Sequence, residues 1–306
     1  MDASADALVV GGGPAGLSAA LYLGRYNRDV LVFDTGRGRS AHHQINHNYL
    51  GFPEGLPITA LRELGRAQLD RYVNVKVLDH TIESISGDAE HGFTARAQGH
   101  SWRGRAVVLA TGVLDHYPRF EGWEPCVGRS LFWCITCDGY ENRGRNVLVV
   151  GHNDEAAGEA MQLRTLTDRI RLLTNSQVNE ISEKFQRRLV AAKIPVVHDK
   201  IDCVRSEDGL ISEVITVGGH KLDVEAMFSI QGASPQTGLA RQLGVALAEN
   251  GWIQVDTEQQ TSVPGVYAAG DVTALHSHQV TTAVHEGAQA ASAANYFLYP
   301  PDLKSD

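Results

Sequence analysis

The stretch ALVVGGGPAGLSAALYLGRYNRDVLVFD constrains the fold more than any other part of this chain. An apolar run ends in Gly11, Gly13 and Gly16 at G-x-G-x-x-G spacing, and a small-residue helix pattern follows. In a strand–turn–helix unit the first glycine permits the tight turn and the second lets the backbone approach a pyrophosphate. The third lets the helix pack closely on the strand. Pro14 and Ala15 open the helix, whose unpaired N–H groups make a positive end suited to phosphate. Asp34 closes the next apolar run, 18 residues after Gly16, near the ~20 expected of a ribose-binding acid. The opening recurs at VLVVGHNDEAAGEA, residues 147–160. Strand patterns at 7–10, 30–33, 73–77, 105–109, 170–173, 196–197, 226–230 and 265–269 alternate with helix patterns at 15–26, 58–71 and 279–298. The expectation is an α/β protein with two Rossmann-like modules.

Composition narrows the class. With 306 residues, 43% hydrophobic and 21% charged, the chain reads as a soluble globular protein of one large or two ordinary domains. A net charge of −9 argues against nucleic-acid and anionic-membrane partners. No apolar run approaches the ~20 residues of a membrane-spanning helix. The N-terminal MDASADALVVGGG runs straight into a strand, without the basic region and cleavage site of a signal peptide. Four cysteines, with only two closely spaced, do not make a secreted disulfide framework. A cytoplasmic location is expected.

Two further stretches, VVLATG (107–112) and GVYAAGD (265–271), end apolar runs in small residues where a ligand can approach. With the first loop they resemble the FAD-binding pattern of the two-dinucleotide-fold flavoprotein disulfide reductases. That resemblance implies FAD, not NAD, in the first module. It brings Ala110, Thr111, Gly112 and Gly270 to the cofactor and gives Asp271 the ribityl–phosphate chain.

FWCITCDGYE places Cys134 and Cys137 at C-x-x-C spacing with Asp138 directly after. A structural zinc wants four ligands, and Cys126 and Cys203 stand alone. No metal site is expected. A redox pair needs one thiol for the substrate disulfide, one to exchange electrons with a flavin, and a group to move protons. Asp138 stands in position for that last task, although an aspartate before Gly139 can also cap a turn.

The order FAD loop, ATG, CxxCDG, second βα unit and YAAGD resembles the low-molecular-weight thioredoxin reductases over nearly the whole chain. NYLGFPEG (48–55) is similar to the family's flavin-side NYPGF stretch, which carries Asn48 to the cofactor, and GASPQT (232–237) matches its return joint. The resemblance implies that Cys137 lies against the flavin and Cys134 engages the partner's disulfide. It also implies a homodimer. The FAD-binding domain would be split between 1–115 and 237–306, around an inserted NAD(P)-binding-like domain, 116–236, bearing the cysteines. Near the last helix, His278-Gln279 stands where the family has Arg-Gln, so Gln279 and Val280 are expected at the isoalloxazine. His276 and His285 read as surface or packing residues.

One part of the family pattern fails. The second loop is Gly151-His152-Asn153-Asp154-Glu155-Ala156, where members have G-x-G-x-x-A. A side chain at Asn153 hinders backbone approach to a pyrophosphate, and like charges at ~4 Å cost ~4 kcal/mol at an effective dielectric of 20. Asn153 or Asp154 can instead cap the helix, with Glu155 complementing its positive end. After the next strand comes Thr174-Asn175-Ser176, with no basic cluster for a 2′-phosphate.

The resemblance therefore extends to the NADPH-independent, ferredoxin-dependent flavin thioredoxin reductases. The expectation is electron flow from a ferredoxin-like donor to FAD, then to Cys134–Cys137, then to a thioredoxin-like protein. Between residues 160 and 200 eight basic residues face four acidic ones, a local reversal suited to an acidic donor. Three alternatives stay open at this level. One is a dithiol oxidase passing electrons to O₂, another a divergent NADH or NADPH site, and the third a redox sensor without turnover.

Overall fold

The computed structural model describes residues 3–42 and 44–304. The chain divides into two compact units. The first contains the residues up to Ala41, Ile58–Leu114 and the chain from Ser234 onward; the second contains His42–Pro57 and Asp115–Ala233.

The first unit opens with β1 (Ala7–Val10), α1 (Pro14–Arg25) and β2 (Val30–Phe33), continues with α2 (Ile58–Leu69) and β3 (Val75–Leu78), and closes its first pass with β7 (Ala106–Leu109). β1, β2 and β7 are buried along their whole length, as parallel strands covered on both faces must be. Between β3 and β7 a meander of β4 (Ser84–Asp88), β5 (Gly92–Ala97) and β6 (His100–Gly104) was not anticipated from the sequence. Its inward residues include Ala95, Ala97 and Gly104, which carry little hydrophobic contrast.

The second unit repeats the plan. Its elements are β8 (Leu131–Phe132), α3 (Ile135–Asp138), β9 (Val147–Val150), α4 (Asp154–Gln162), β10 (Ile170–Leu173), α5 (Glu183–Ala191) and β11 (Val196–Val197). They continue with β12 (Ile201–Glu207), β13 (Leu210–Thr216), β14 (Lys221–Asp223) and β15 (Ala226–Ser229). The parallel order is β8-β15-β9-β10-β11, and β12-β13-β14 form a separate antiparallel sheet. Helices α4 and α5 cover one face through Ala156, Ala157, Ala160 and Leu189. The antiparallel sheet supplies Ile211, Val214 and Leu222 to the core on the other face.

Returning to the first unit, the chain adds β16 (Val266–Ala268) and α6 (Val280–Phe297), giving the parallel order β16-β7-β1-β2-β3. Helix α6 lies on α1 through small residues. A Cβ on Gly287 would collide with the Ala15 carbonyl, and the Ser18 hydroxyl donates to the Val284 carbonyl at 2.7 Å. Both parallel sheets reverse strand order beside their first strand, at β1/β7 and at β9/β15, where open α/β sheets bind ligands beyond the strand C-termini. The fold is α/β with two Rossmann-like units. Among the described residues no helix is long and apolar enough to cross a membrane.

Candidate active site and cofactor cradle

The glycine loop of the first unit is built for close approach. A Cβ on Gly11, which sits at φ +114°, would strike the Ala110 carbonyl, and one on Gly16 would strike the Gly11 carbonyl. Both glycines are therefore demanded by packing. Gly13 is different, since a Cβ there would meet only the Ser40 hydroxyl at 3.8 Å. Packing does not require glycine at 13, whereas a pyrophosphate brought against the backbone does. Gly13 is also the N-cap of α1, which begins at Pro14 with no side-chain cap. Its first-turn N–H groups retain the anion affinity of a helix end.

Around this loop the unit gathers most of the expected cofactor residues. Asp34, only 5% exposed, accepts from the Gly36 N–H at 2.9 Å and from Arg62 and Arg66 at 2.9 and 3.3 Å. The neighbouring strand ends in Ala110, Thr111 and Gly112. Thr111 donates to the Gln236 carbonyl at 2.7 Å, and the Gln236 amide answers to the Thr111 carbonyl at 2.8 Å. Gly270 faces Ala15 across the loop, where a Cβ would come within 2.9 Å of the alanine methyl. Asp271 pairs with Arg39 at 2.6 Å, and its carbonyl accepts from the Trp252 indole at 2.9 Å. Gln279 occupies the N-cap position of α6, with no side-chain cap, and Val280 is the helix's first residue. Asn48 lies in the second unit, in the exposed turn after the short strand Ile45–Asn46.

Several residues here escaped the sequence reading. Glu286, 1% exposed on α6, accepts from the Gly270 N–H at 2.6 Å and from the Thr273 hydroxyl at 3.4 Å. Its other oxygen meets His276 at 2.9 Å. His276 is thus a hydrogen-bond partner of Glu286 rather than a plain surface residue, and one carboxylate fastens the turn that carries Asp271. A glutamate on the stripe shared with Ala283, Gly287 and Ala290 was the available signal. Arg39, Arg62 and Trp252 gave none, being ordinary residues joined to the site by distant pairings.

In the second unit Cys134 and Cys137 form a disulfide across the start of α3. The Cys137 N–H points at the Cys134 sulfur, 3.1 Å away. When the pair is reduced, this donor favours the thiolate on Cys134. Asp138 follows in the same short helix, 5% exposed, its carbonyl accepting from the Asn142 amide at 2.8 Å. Its carboxylate does not cap a turn. It accepts from the Gln44 side-chain amide at 3.0 Å. Burial is the main cause that pushes its pKa up to about 7; the Gln44 hydrogen bond opposes this and the nearby Glu141 adds to it. A carboxyl so placed can give and take a proton near neutrality.

The second glycine loop shares the frame of the first without its open helix end. Gly151 packs like Gly11, with a Cβ coming within 2.6 Å of the Ile230 carbonyl. Asn153, however, caps α4 by accepting from the Ala156 N–H at 3.1 Å. Asp154 turns aside to accept from the Ser182 N–H at 2.7 Å. Glu155 stays in the first turn of the helix, and burial and Glu155 together raise the Glu159 pKa.

Two glycine-turn α/β units and a C-x-x-C disulfide flanked by a buried acid define a flavoprotein-type disulfide oxidoreductase. The chain belongs to the pyridine nucleotide-disulphide oxidoreductase family, whose model matches residues 5–287, and within it to the thioredoxin reductase-like proteins. It is 34% identical to the thioredoxin reductase tcpT of Claviceps purpurea over 311 residues, covering 95% of this chain and 93% of the relative. It is 30% identical to the thioredoxin reductase of Treponema pallidum, covering 97% and 98%. The crystal structure of thioredoxin reductase from Streptococcus pyogenes superposes with a TM-score of 0.90 at 27% identity, covering 97% and 99%. Members of this family are FAD-binding flavoproteins, and the Gly13 cradle fits that cofactor.

Proposed function

We propose that this protein is an FAD-dependent thiol–disulfide oxidoreductase that reduces a thioredoxin-like disulfide through Cys134–Cys137 and does not take its electrons from NADPH. The observation carrying the reading is the α4 N-terminus. Its capping N–H is held by Asn153, two carboxylates follow in the first turn, and no basic cluster follows β10. A pyrophosphate would have to displace the cap and meet the negative charge of the first turn, with Asp154 held on the Ser182 N–H and Glu155 beside it. The first unit carries FAD on Gly11, Gly13, Pro14, Ala15, Gly16, Asp34, Ala110, Thr111, Gly112, Gly270, Asp271, Gln279 and Val280; Asn48 is a cofactor candidate by the family resemblance alone. The donor is a ferredoxin-like protein, an assignment supported by the local basic excess between residues 160 and 200. The protein works as a homodimer in the cytoplasm, as the family resemblance and the redox use of its cysteines imply.

Bound FAD supplies the two electrons that reduce the pair. The chain's own residues then run the exchange. The Cys134 thiolate, favoured by the Cys137 N–H, attacks the substrate disulfide, forming a mixed disulfide and expelling one thiolate, which is protonated by Asp138. Cys137 then loses its proton to Asp138 and attacks the Cys134 sulfur. The substrate leaves with both its sulfurs reduced, and the Cys134–Cys137 disulfide re-forms.

The test is anaerobic mixing of the oxidised holoprotein with NADPH, NADH or reduced ferredoxin while the flavin's visible absorbance is followed. Ferredoxin alone should bleach it. Rapid bleaching by NADPH at micromolar concentration overturns the reading, and bleaching by a dithiol alone with rapid recovery in O₂ assigns a dithiol oxidase. Cys134→Ser should abolish transfer to the substrate disulfide while FAD stays bound.

A further inference from the structure

The segment 42–57, which precedes the cysteine pair by some 90 residues in the same unit, brings a second buried polar side chain to Asp138. Gln44 is 6% exposed and donates through Nε2 to Asp138 Oδ2 at 3.0 Å. It is held there by the two-stranded ribbon of Ile45–Asn46 and Leu56–Pro57, closed by the Asn46 amide on the Leu56 carbonyl at 3.2 Å. Asp138 is fixed from its own side by Asn142. Among the described residues Glu141 is a titratable group that acts on Asp138, and it lies 4.0 Å from His47; Cys137 is one residue away in sequence.

We infer that Gln44 is a positioning residue for the proton carrier of the cysteine exchange: its amide engages Oδ2 and leaves Oδ1 as the oxygen that receives and releases the proton. The inference rests on the acid–base reading of Asp138. The residue type matters. An amide carries both a donor and an acceptor, so it can keep a hydrogen bond to the carboxyl in either protonation state by turning over. A lysine or arginine in that place would favour the ionised form outright, and an apolar side chain would leave a buried carboxylate without its donor. Glutamine holds the group between these limits, consistent with a pKa pushed by burial only to about 7.

The experiment uses the FAD-loaded protein and two variants of opposite expected sign, Gln44→Met and Gln44→Lys. Asp138 is titrated by difference infrared spectroscopy, its carboxyl band identified by its loss in Asp138→Asn. The pH profile of disulfide reduction is recorded in parallel. In Gln44→Met the titration midpoint should rise by about one pH unit, the size of one charge-assisted hydrogen bond, and the profile should move with it. In Gln44→Lys both should fall below the parent. A midpoint unmoved in the two variants, or moved the same way in both, overturns the inference, and retained FAD and far-ultraviolet dichroism identify any variant that has failed to fold. If Asp138→Asn keeps the parent's activity and pH profile, the acid–base reading itself fails, a result separate from whether the Gln44 variants move the carboxyl band.

Discussion

At the residue scale the buried Asp138 costs stability as pH rises, whatever its proposed role in proton transfer. Its ordinary carboxyl pKa near 4 is raised to about 7 in the folded protein, so folding takes up a proton between those values. The contribution is fully present below about pH 4, declines as pH rises, and is lost above about pH 7. Asp138→Asn removes this dependence. The variant's unfolding free energy relative to the parent, from urea denaturation at each pH, should therefore climb between pH 5 and 7, by an amount on the order of a few kcal/mol at most. A parent–variant gap that stays flat over that range contradicts it. Gly13 offers the opposite case, a residue whose proposed value is cofactor binding rather than stability. Since a Cβ there meets only Ser40 at 3.8 Å, Gly13→Ala should leave the melting temperature of the FAD-free protein unchanged. FAD affinity should fall by roughly tenfold or more, as one charge-assisted contact is lost. Gly16→Ala, which strikes the Gly11 carbonyl, should instead destabilise the fold itself. Fluorescence titration with FAD beside thermal melts separates the two effects.

At the element scale the two glycine-turn helices have diverged at their N-termini. α1 starts at an uncapped Gly13 and Pro14, whereas α4 is closed by Asn153. Asn153→Ala should lower stability by about 1 kcal/mol and Asn153→Gly by only a few tenths, measured by urea denaturation. Equal losses would mean that the cap is not what Asn153 provides. These helices, their strands and their glycines were legible in the sequence because each is a local pattern. Boundaries moved by a residue or two, with α2 ending at Leu69 rather than at 71 and β3 starting at Val75 rather than at 73. The meanders β4–β6 and β12–β14 were not legible. Their inward positions include small residues such as Ala95 and Gly104, and β12 is mostly exposed, so alternation is faint. The site was legible to the same extent. Cys134, Cys137 and Asp138 stand together in sequence, but Gln44 reaches Asp138 across 94 residues, and Arg39 reaches Asp271 across 232. Pairings of that range follow from topology, which no window of sequence contains.

At the scale of the whole molecule, each unit owns a complete core on both faces of its parallel sheet, through Leu23, Ala290, Phe93 and Trp102 in the first and Leu172, Leu189, Val214 and Met227 in the second. A ligand stabilises the unit that binds it by mass action, by about 2.7 kcal/mol at a hundredfold excess over its dissociation constant. If FAD is held chiefly on the first unit's glycine loop, removing it should weaken that unit selectively. Amide hydrogen exchange resolves this within one chain, because core strands exchange by openings whose free energy reports local stability. On FAD removal the amides of β1, β2 and β7 should lose protection. Those of β9, β10 and β15 should keep theirs, since the capped α4 offers the cofactor no comparable seat. Thermal unfolding should show the same asymmetry, with added FAD raising one transition and leaving the other in place, a departure from two-state behaviour expected where cores are separate. Equal deprotection of both strand sets would mean that the cofactor's stabilisation is not confined to the first unit. Deprotection of β9 and β15 alone would place a dinucleotide in the second loop and return the search for the electron donor to the nicotinamides.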